Sequence, residues 1–147
     1  MLLREYFFIW PKRIADSLSW SGVLVARFIV GYTFMMSGWG KLTNLEGVVG
    51  FFTSLGIPAP HILTPVVAGW EFLGGLFLIA GFLTRVSAGG LAVIMLVAIA
   101  TAKWAEINDF YDLVSNPEAT YLAVFTWLAI SGAGSASVDQ IVEKSKN

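Results

Sequence analysis

The stretch ILTPVVAGWEFLGGLFLIAGFLT, residues 62–84, decides the fold class. A helix needs about 20 mostly apolar residues to cross the hydrocarbon core of a bilayer. This stretch is that long and carries one charged residue, Glu71. Three further stretches satisfy the same criterion, so the sequence predicts four membrane-spanning helices, at residues 20–39, 62–84, 86–104 and 119–136.

The composition is typical of a membrane protein. Of the 147 residues, 56% are hydrophobic and 13% are charged, and the mean hydropathy is +0.73. Soluble domains carry about 25% charged residues. The net charge of −1 indicates no nucleic-acid partner, and the chain has no cysteine for thiol chemistry or thiolate-bound metals. With one histidine, we expect no metal site and no cofactor held by this chain alone.

The four spans leave only short connections, so we predict one membrane domain over residues 1–147. The predicted fold is all-α, an antiparallel four-transmembrane-helix bundle. An apolar segment centred on residues 45–55 is expected to lie flat in the membrane interface between helices one and two. The sequence Thr84-Arg85 leaves room only for a tight hairpin between helices two and three.

The basic residues predict the orientation, because Lys and Arg are enriched in cytoplasmic loops. With both termini inside, the outer side holds Lys41 and Lys103. The cytoplasmic side then holds six basic residues: Arg4, Lys12, Arg13, Arg85, Lys144 and Lys146. The ratio of six to two favours a multi-pass protein with both termini in the cytoplasm.

Arg27 and Glu71 lie well inside predicted spans, where a charge costs about 2.5–3.5 kcal/mol on insertion scales. Each belongs to a stripe of residues spaced three and four apart, which predicts that both face the bundle interior. Counted from the span midpoints, their depths differ by roughly 7 Å, within reach of two long side chains. We therefore expect an Arg27–Glu71 ion pair. It is either a lock on helix register or a site for a polar headgroup, a quinone carbonyl or a proton.

Other polar and aromatic residues form weaker groups. An outer polar cluster is predicted from Lys41, His61, Lys103 and Glu118, although lysines at helix ends commonly need no function. Arg85 and Asp139 end their helices on the cytoplasmic side and are expected to pair there. If a ligand binds near Arg27 and Glu71, its pocket wall is expected to include Phe34, Trp39 and Trp70.

Several short motifs occur in one order along residues 26–139. They are Arg27-Phe28 with Gly31, SGWGKL at 37–42, GIPAP at 56–60, EFLGG at 71–75, GFLTR at 81–85 and GAGSASVD at 132–139. In this order the chain resembles the DoxX family of small bacterial membrane proteins. The resemblance implies a four-helix membrane bundle in the bacterial inner membrane. Some relatives are membrane subunits of thiosulfate:quinone oxidoreductases, and others are associated with oxidative-stress, thiol or quinone responses.

The resemblance leaves three functional hypotheses. The first is a small membrane subunit of a redox complex, not catalytic alone, with quinone as a candidate ligand. The second is a non-catalytic structural or assembly subunit of a larger membrane complex. The third is a binder or transporter of a small lipid-like molecule. The expected partners are the lipid bilayer and either other membrane or redox subunits or further copies of this chain.

Overall fold

The computed structural model describes Phe7 and residues 9–145. The helices are α1 Trp10–Leu42, α2 Leu45–Ser54, α3 Pro60–Ala80, α4 Thr84–Ala98, α5 Phe110–Ser115, α6 Pro117–Ser131 and α7 Val138–Lys144. A π-helical turn, Ile99–Lys103, and a 3₁₀ turn, Trp104–Glu106, extend α4. The described residues contain no strand, which confirms the all-α prediction.

Three helices are long and apolar enough to cross a membrane: Trp10–Leu42, Pro60–Ala80 and the extended α4, Thr84–Glu106. The predicted fourth span, 119–136, is wrong in extent because α6 ends at Ser131. Gly132 follows with φ +84°, a backbone conformation that ends the helix. With 15 residues, α6 is only about 22 Å long, so a complete fourth crossing stays a prediction.

The first helix begins ten residues earlier than predicted. Pro11 lies in its first turn, where the missing N–H costs no hydrogen bond. Residues 10–20 are exposed, and the buried positions begin at Arg27. At 33 residues α1 is about 50 Å long. Its N-terminal third therefore extends past the other helices, which pack only on the remainder of α1.

The connection between α3 and α4 is a tight hairpin, as the sequence predicts, but the turn lies at residues 81–83 rather than at Thr84-Arg85. Gly81 has φ +69°, and the amide of Phe82 donates to the carbonyl of Phe77 at 2.9 Å, which closes the end of α3. Leu83 also has positive φ, +46°, and α4 begins at the next residue. Because the turn is three residues long, α3 and α4 pack as antiparallel neighbours.

Close contact at two glycines sets the register of α1 on α3. A Cβ at residue 31 would lie 2.8 Å from the carbonyl oxygen of Gly75. A Cβ at residue 38 would lie 2.7 Å from the carbonyl oxygen of Ala68. Only glycine permits such an approach, as in other membrane helix pairs. The two helices therefore run antiparallel with their backbones in contact.

The core lies where α1, α3, α4 and α6 meet. Phe34 makes edge-to-face contacts with Tyr121 and Phe125, at ring-centroid distances of 5.1 and 4.8 Å. Phe125, Leu78 and Leu91 are fully buried around it. Most other large apolar side chains are exposed, as in a protein surrounded by lipid.

The segment between α1 and α3 is helical over Leu45–Ser54 and packs against α3 without a fully buried residue. It ends before Gly56, which has φ +71°. Its position in the membrane interface stays a prediction. Two basic residues in the orientation count, Arg4 and Lys146, lie outside the described residues.

Candidate functional site

The most deeply buried carboxylate, Glu71, pairs with a lysine from the neighbouring helix. Lys41 Nζ makes a salt bridge and hydrogen bond to Glu71 Oε2. Ser37 Oγ donates to the same oxygen at 2.9 Å, and Lys41 Nζ also donates to Ser37 Oγ at 3.1 Å. The Glu71 side chain is 2% exposed and that of Lys41 is 29% exposed. The carboxylate of Glu71 is therefore buried, whereas the ammonium-bearing side chain of Lys41 is partly exposed.

The predicted Arg27–Glu71 ion pair is wrong. In the register set by Gly31 and Gly38, Glu71 lies level with Ser37 and Gly38 of α1. Arg27 is about ten residues, roughly 15 Å, further along that helix. The estimate from the span midpoints failed because α1 starts at Trp10 and only its second half packs on α3. Whether Arg27 or Glu71 binds a ligand stays a prediction, and it now concerns two separate positions.

Arg27 instead binds backbone carbonyl groups. Its Nε donates to Leu78 O at 3.0 Å, and Nη2 donates to Ile79 O at 3.4 Å, at the C-terminal end of α3. Its Nη1 donates to Ala133 O and to Ala136 O, the latter at 3.1 Å. The buried guanidinium thus satisfies helix-end carbonyls and holds the segment after α6 against α3.

Arg85 and Asp139 do not pair with each other either, and both bind helix ends. Arg85 Nη1 donates to the carbonyls of Ala129 and Ile130, in the last turn of α6. The Asp139 carboxylate accepts from the amides of Leu83 and Thr84, at 2.8 and 3.0 Å. It therefore caps the N-terminus of α4, where a negative charge is favourable. The predicted pair is wrong because each side chain finds unsatisfied backbone groups within closer reach.

The predicted outer polar cluster is divided among different contacts. Lys41 binds Glu71, and Lys103 lies 3.4 Å from Glu106, a residue of its own chain segment. His61 is exposed in the first turn of α3. Glu118 has a buried Oε2 atom without a hydrogen-bond partner among the described residues.

The three aromatic residues predicted to line a pocket lie apart. Phe34 is in the core between Tyr121 and Phe125. Trp39 is 53% exposed and stacks obliquely on Phe72, and Trp70 is 41% exposed. Both tryptophans therefore face the outside of the helix assembly, next in sequence to the Lys41–Glu71 cluster rather than inside it.

Sequence reasoning missed the Lys41–Ser37–Glu71 cluster as a unit. Ser37 and Lys41 are four residues apart and so lie on one face of α1, which was the available signal. Their alignment with Glu71 depends on the close contacts of Gly31 and Gly38 with the backbone of α3. The spacing of residues along one helix does not predict such contacts between helices. Within the described part of the chain, no group of three His, Asp or Glu side chains could hold a metal ion.

Among the described residues outside the membrane-spanning segments, Asp112 has a perturbed pKa. Asp112, in α5, accepts hydrogen bonds from the backbone amide of Asn108 at 3.0 Å and from its side-chain amide at 3.3 Å. These bonds favour the ionised carboxylate and lower the pKa of Asp112 below its ordinary value. The effect stabilises the ionised form of Asp112 in α5.

Together, the long apolar helices and the buried polar contacts define a small helical membrane protein. The DoxX family profile matches residues 22–104, and the chain belongs to the DoxX family. This confirms the resemblance found in the sequence motifs.

Three relatives cover most of the chain. The Escherichia coli (strain K12) protein named "Inner membrane protein YqjF" is 33% identical over 123 residues, 84% of this chain and 93% of its own length. The Bacillus subtilis (strain 168) protein named "Putative oxidoreductase CatD" is 32% identical over 127 residues, 85% and 90% of the two chains. The Escherichia coli (strain K12) protein named "Inner membrane protein YphA" is 26% identical over 129 residues, 80% and 88%. No solved structure matches the chain significantly.

Proposed function

We propose that this protein is the membrane subunit of a redox complex and that the Lys41–Ser37–Glu71 cluster forms the polar end of a quinone-binding site. The observation that carries the proposal is the buried carboxylate paired with a partly exposed lysine. Such a site offers both a cationic donor and a carboxylate to the oxygens of a quinone or quinol. The name of the B. subtilis relative, an oxidoreductase, supports the redox assignment.

In this proposal the partner subunit supplies the two electrons that convert a quinone into a quinol. Lys41 donates a hydrogen bond to a carbonyl oxygen of the quinone, and the Glu71 carboxylate accepts one from a hydroxyl of the quinol. The two protons that complete the conversion come from water. Ser37 keeps the Glu71 carboxylate oriented, since it donates to the oxygen that also binds Lys41. The chain itself contributes binding and orientation.

The proposal includes four antiparallel membrane crossings in a bacterial inner membrane with both termini in the cytoplasm. In the fourth crossing, the six residues after α6 complete the path, held against α3 by Arg27. The names of the two E. coli relatives support the inner membrane. The excess of basic residues on the side of the termini supports the orientation.

Two measurements test the proposal. Native mass spectrometry of the protein purified gently from its own membrane should show a redox subunit in stoichiometric complex. Binding of decylubiquinone to the purified complex should quench tryptophan fluorescence, because Trp39 and Trp70 are close in sequence to the cluster. The double variant Lys41→Met/Glu71→Gln, which leaves no unpaired charge, should lose at least about tenfold in quinone affinity.

The matched control is Lys103→Met/Glu106→Gln, which removes an exposed Lys–Glu pair. It should bind decylubiquinone as tightly as the unchanged protein. Equal quinone binding by both double variants would exclude the cluster as the site. A bare homo-oligomer in native mass spectrometry would exclude the subunit role.

A structural or assembly subunit is the second candidate function. It is favoured by the opposite end of the molecule, where Arg27, Arg85 and Asp139 all bind helix-end backbone groups. Native mass spectrometry separates the two functions. A stoichiometric complex that keeps its activity in the Lys41→Met/Glu71→Gln variant would indicate a structural role.

A further inference from the structure

A cleft of about 470 Å³ opens at the end of the molecule opposite the Lys41–Glu71 cluster. It lies between the first turn of α4 and the segment that leads from α6 into α7. Because α3 ends and α4 begins at this level, the cleft is at the depth where the membrane-spanning helices end. That depth is where lipid headgroups lie.

The cleft offers hydrogen-bond donors to an anion. Arg85 uses Nη1 for the carbonyls of Ala129 and Ile130 and Nη2 for the carbonyl of Ser131, at 3.5 Å, while its Nε atom donates to no acceptor among the described residues. Thr84 also lines the cleft, and its fully buried hydroxyl has no hydrogen-bond partner in the described part of the chain. A buried hydroxyl without a partner is costly, so this one indicates a missing acceptor.

The opposite charge and an apolar edge complete the site. Glu143 lines the same cleft, is exposed and has no cation within salt-bridge distance among the described residues. Leu83 and Val86 also line it, and both are exposed apolar side chains. Asp139 also lines the cleft, with its carboxylate bound to the amides of Leu83 and Thr84. The cleft therefore presents one cationic donor, two carboxylates and an apolar edge side by side.

We propose that this cleft binds the headgroup of a phospholipid that carries both a phosphate and a primary ammonium, as phosphatidylethanolamine does. Arg85 and Thr84 donate to the phosphate, and Glu143 accepts from the ammonium. The acyl chains leave over Leu83 and Val86 into the bilayer. The site is independent of the proposed quinone site, which lies at the other end of the helices.

Thermal unfolding of the delipidated protein in detergent, with single lipids added back, tests the proposal. Phosphatidylethanolamine should raise the melting temperature more than phosphatidylglycerol or phosphatidylcholine does, since these lack the primary ammonium. Glu143→Gln should weaken phosphatidylethanolamine binding about tenfold or more. The control Glu46→Gln, an exposed glutamate in α2, should leave that binding unchanged.

Thr84→Val gives a second readout that does not depend on Glu143. Without lipid, this variant should melt at the same or a higher temperature, because it removes an unpartnered buried hydroxyl. With phosphatidylethanolamine it should gain less than the unchanged protein. The proposal is overturned if the three lipids act alike, if Glu143→Gln and Glu46→Gln behave alike, or if Thr84→Val is destabilised without lipid. Equal stabilisation by soluble O-phosphoethanolamine would overturn a lipid as the ligand.

Discussion

Lys41 of α1 and Glu71 of α3 form an ion pair whose acidic partner is buried and whose basic partner reaches the surface. Arg27 takes no part in this ion pair, because its guanidinium binds backbone carbonyl groups instead. The pair joins the two helices that pack most extensively on each other. It is therefore both the strongest candidate for ligand binding and a contact that stabilises the α1–α3 interface.

The pair predicts an asymmetric response to substitution. Lys41→Met should lower the free energy of unfolding by up to about 3–5 kcal/mol, because it leaves Glu71 charged and buried. The exposure of Lys41 places the value toward the lower end of that range. Lys41→Met/Glu71→Met should recover much of the loss. Unfolding of the three proteins in mixed micelles measures this. If the double variant is as unstable as Lys41→Met, the buried charge is not the cause.

A double-mutant cycle on Arg27→Met and Glu71→Gln tests the corrected pairing. Arg27→Met should destabilise the protein by several kcal/mol, because it removes the donors to Leu78 O, Ala133 O and Ala136 O. At a separation of roughly 15 Å along the helix, the two effects should add within about 0.5 kcal/mol. A coupling energy above about 1 kcal/mol in the unfolding measurements would show instead that Arg27 and Glu71 interact directly.

The hydrogen bonds from Asn108 predict a pH effect confined to the N-terminal part of α5. Since these bonds lower the pKa of Asp112, their stabilising contribution is fully present above its ordinary value of 3.8. It is lost as the pH falls through the lowered pKa. In an NMR titration, Asn108→Ala should raise the pKa of Asp112 by removing the side-chain donor. The control Asn44→Ala, at the start of α2, should leave the titration unchanged.

Much of the helical pattern could be predicted from the sequence. The predicted span 62–84 corresponds to α3 at Pro60–Ala80. The stripe predicted to face inward is Glu71, Gly74, Leu78, Gly81 and Arg85, and all of these are buried except Arg85, which is exposed. Hydrophobic spacing carries this information because burial of side chains determines it. The predicted first helix is too short because Lys12, Arg13 and Asp16 interrupt the apolar run without interrupting the helix.

The contacts of the charged residues could not be predicted in the same way. Arg27, Arg85 and Asp139 bind backbone carbonyls and amides, and a backbone group has no signature in the sequence. Each helix end leaves backbone groups without hydrogen-bond partners, so an arginine side chain near a helix end can reach several acceptors. The depth of Glu71 relative to α1 depends on how close two backbones come, which is decided by packing at Gly31 and Gly38.

The close approach at Gly38 gives the most direct test of the register. A Cβ at this position would lie 2.7 Å from Ala68 O and 2.8 Å from Phe72 Cα, and backbone atoms cannot move aside cheaply. Gly38→Ala should therefore destabilise the protein by about 1–3 kcal/mol and separate α1 from α3. Gly40→Ala is the matched control, because nothing lies within 4 Å of a Cβ there. It should be neutral or stabilising by up to about 1 kcal/mol, since alanine is the better helix former.

Because separation of the helices also moves Lys41 from Glu71, Gly38→Ala should weaken decylubiquinone binding whereas Gly40→Ala should not. Equal stability of the two variants would place α3 against another face of α1 and remove the geometric basis of the Lys41–Glu71 cluster.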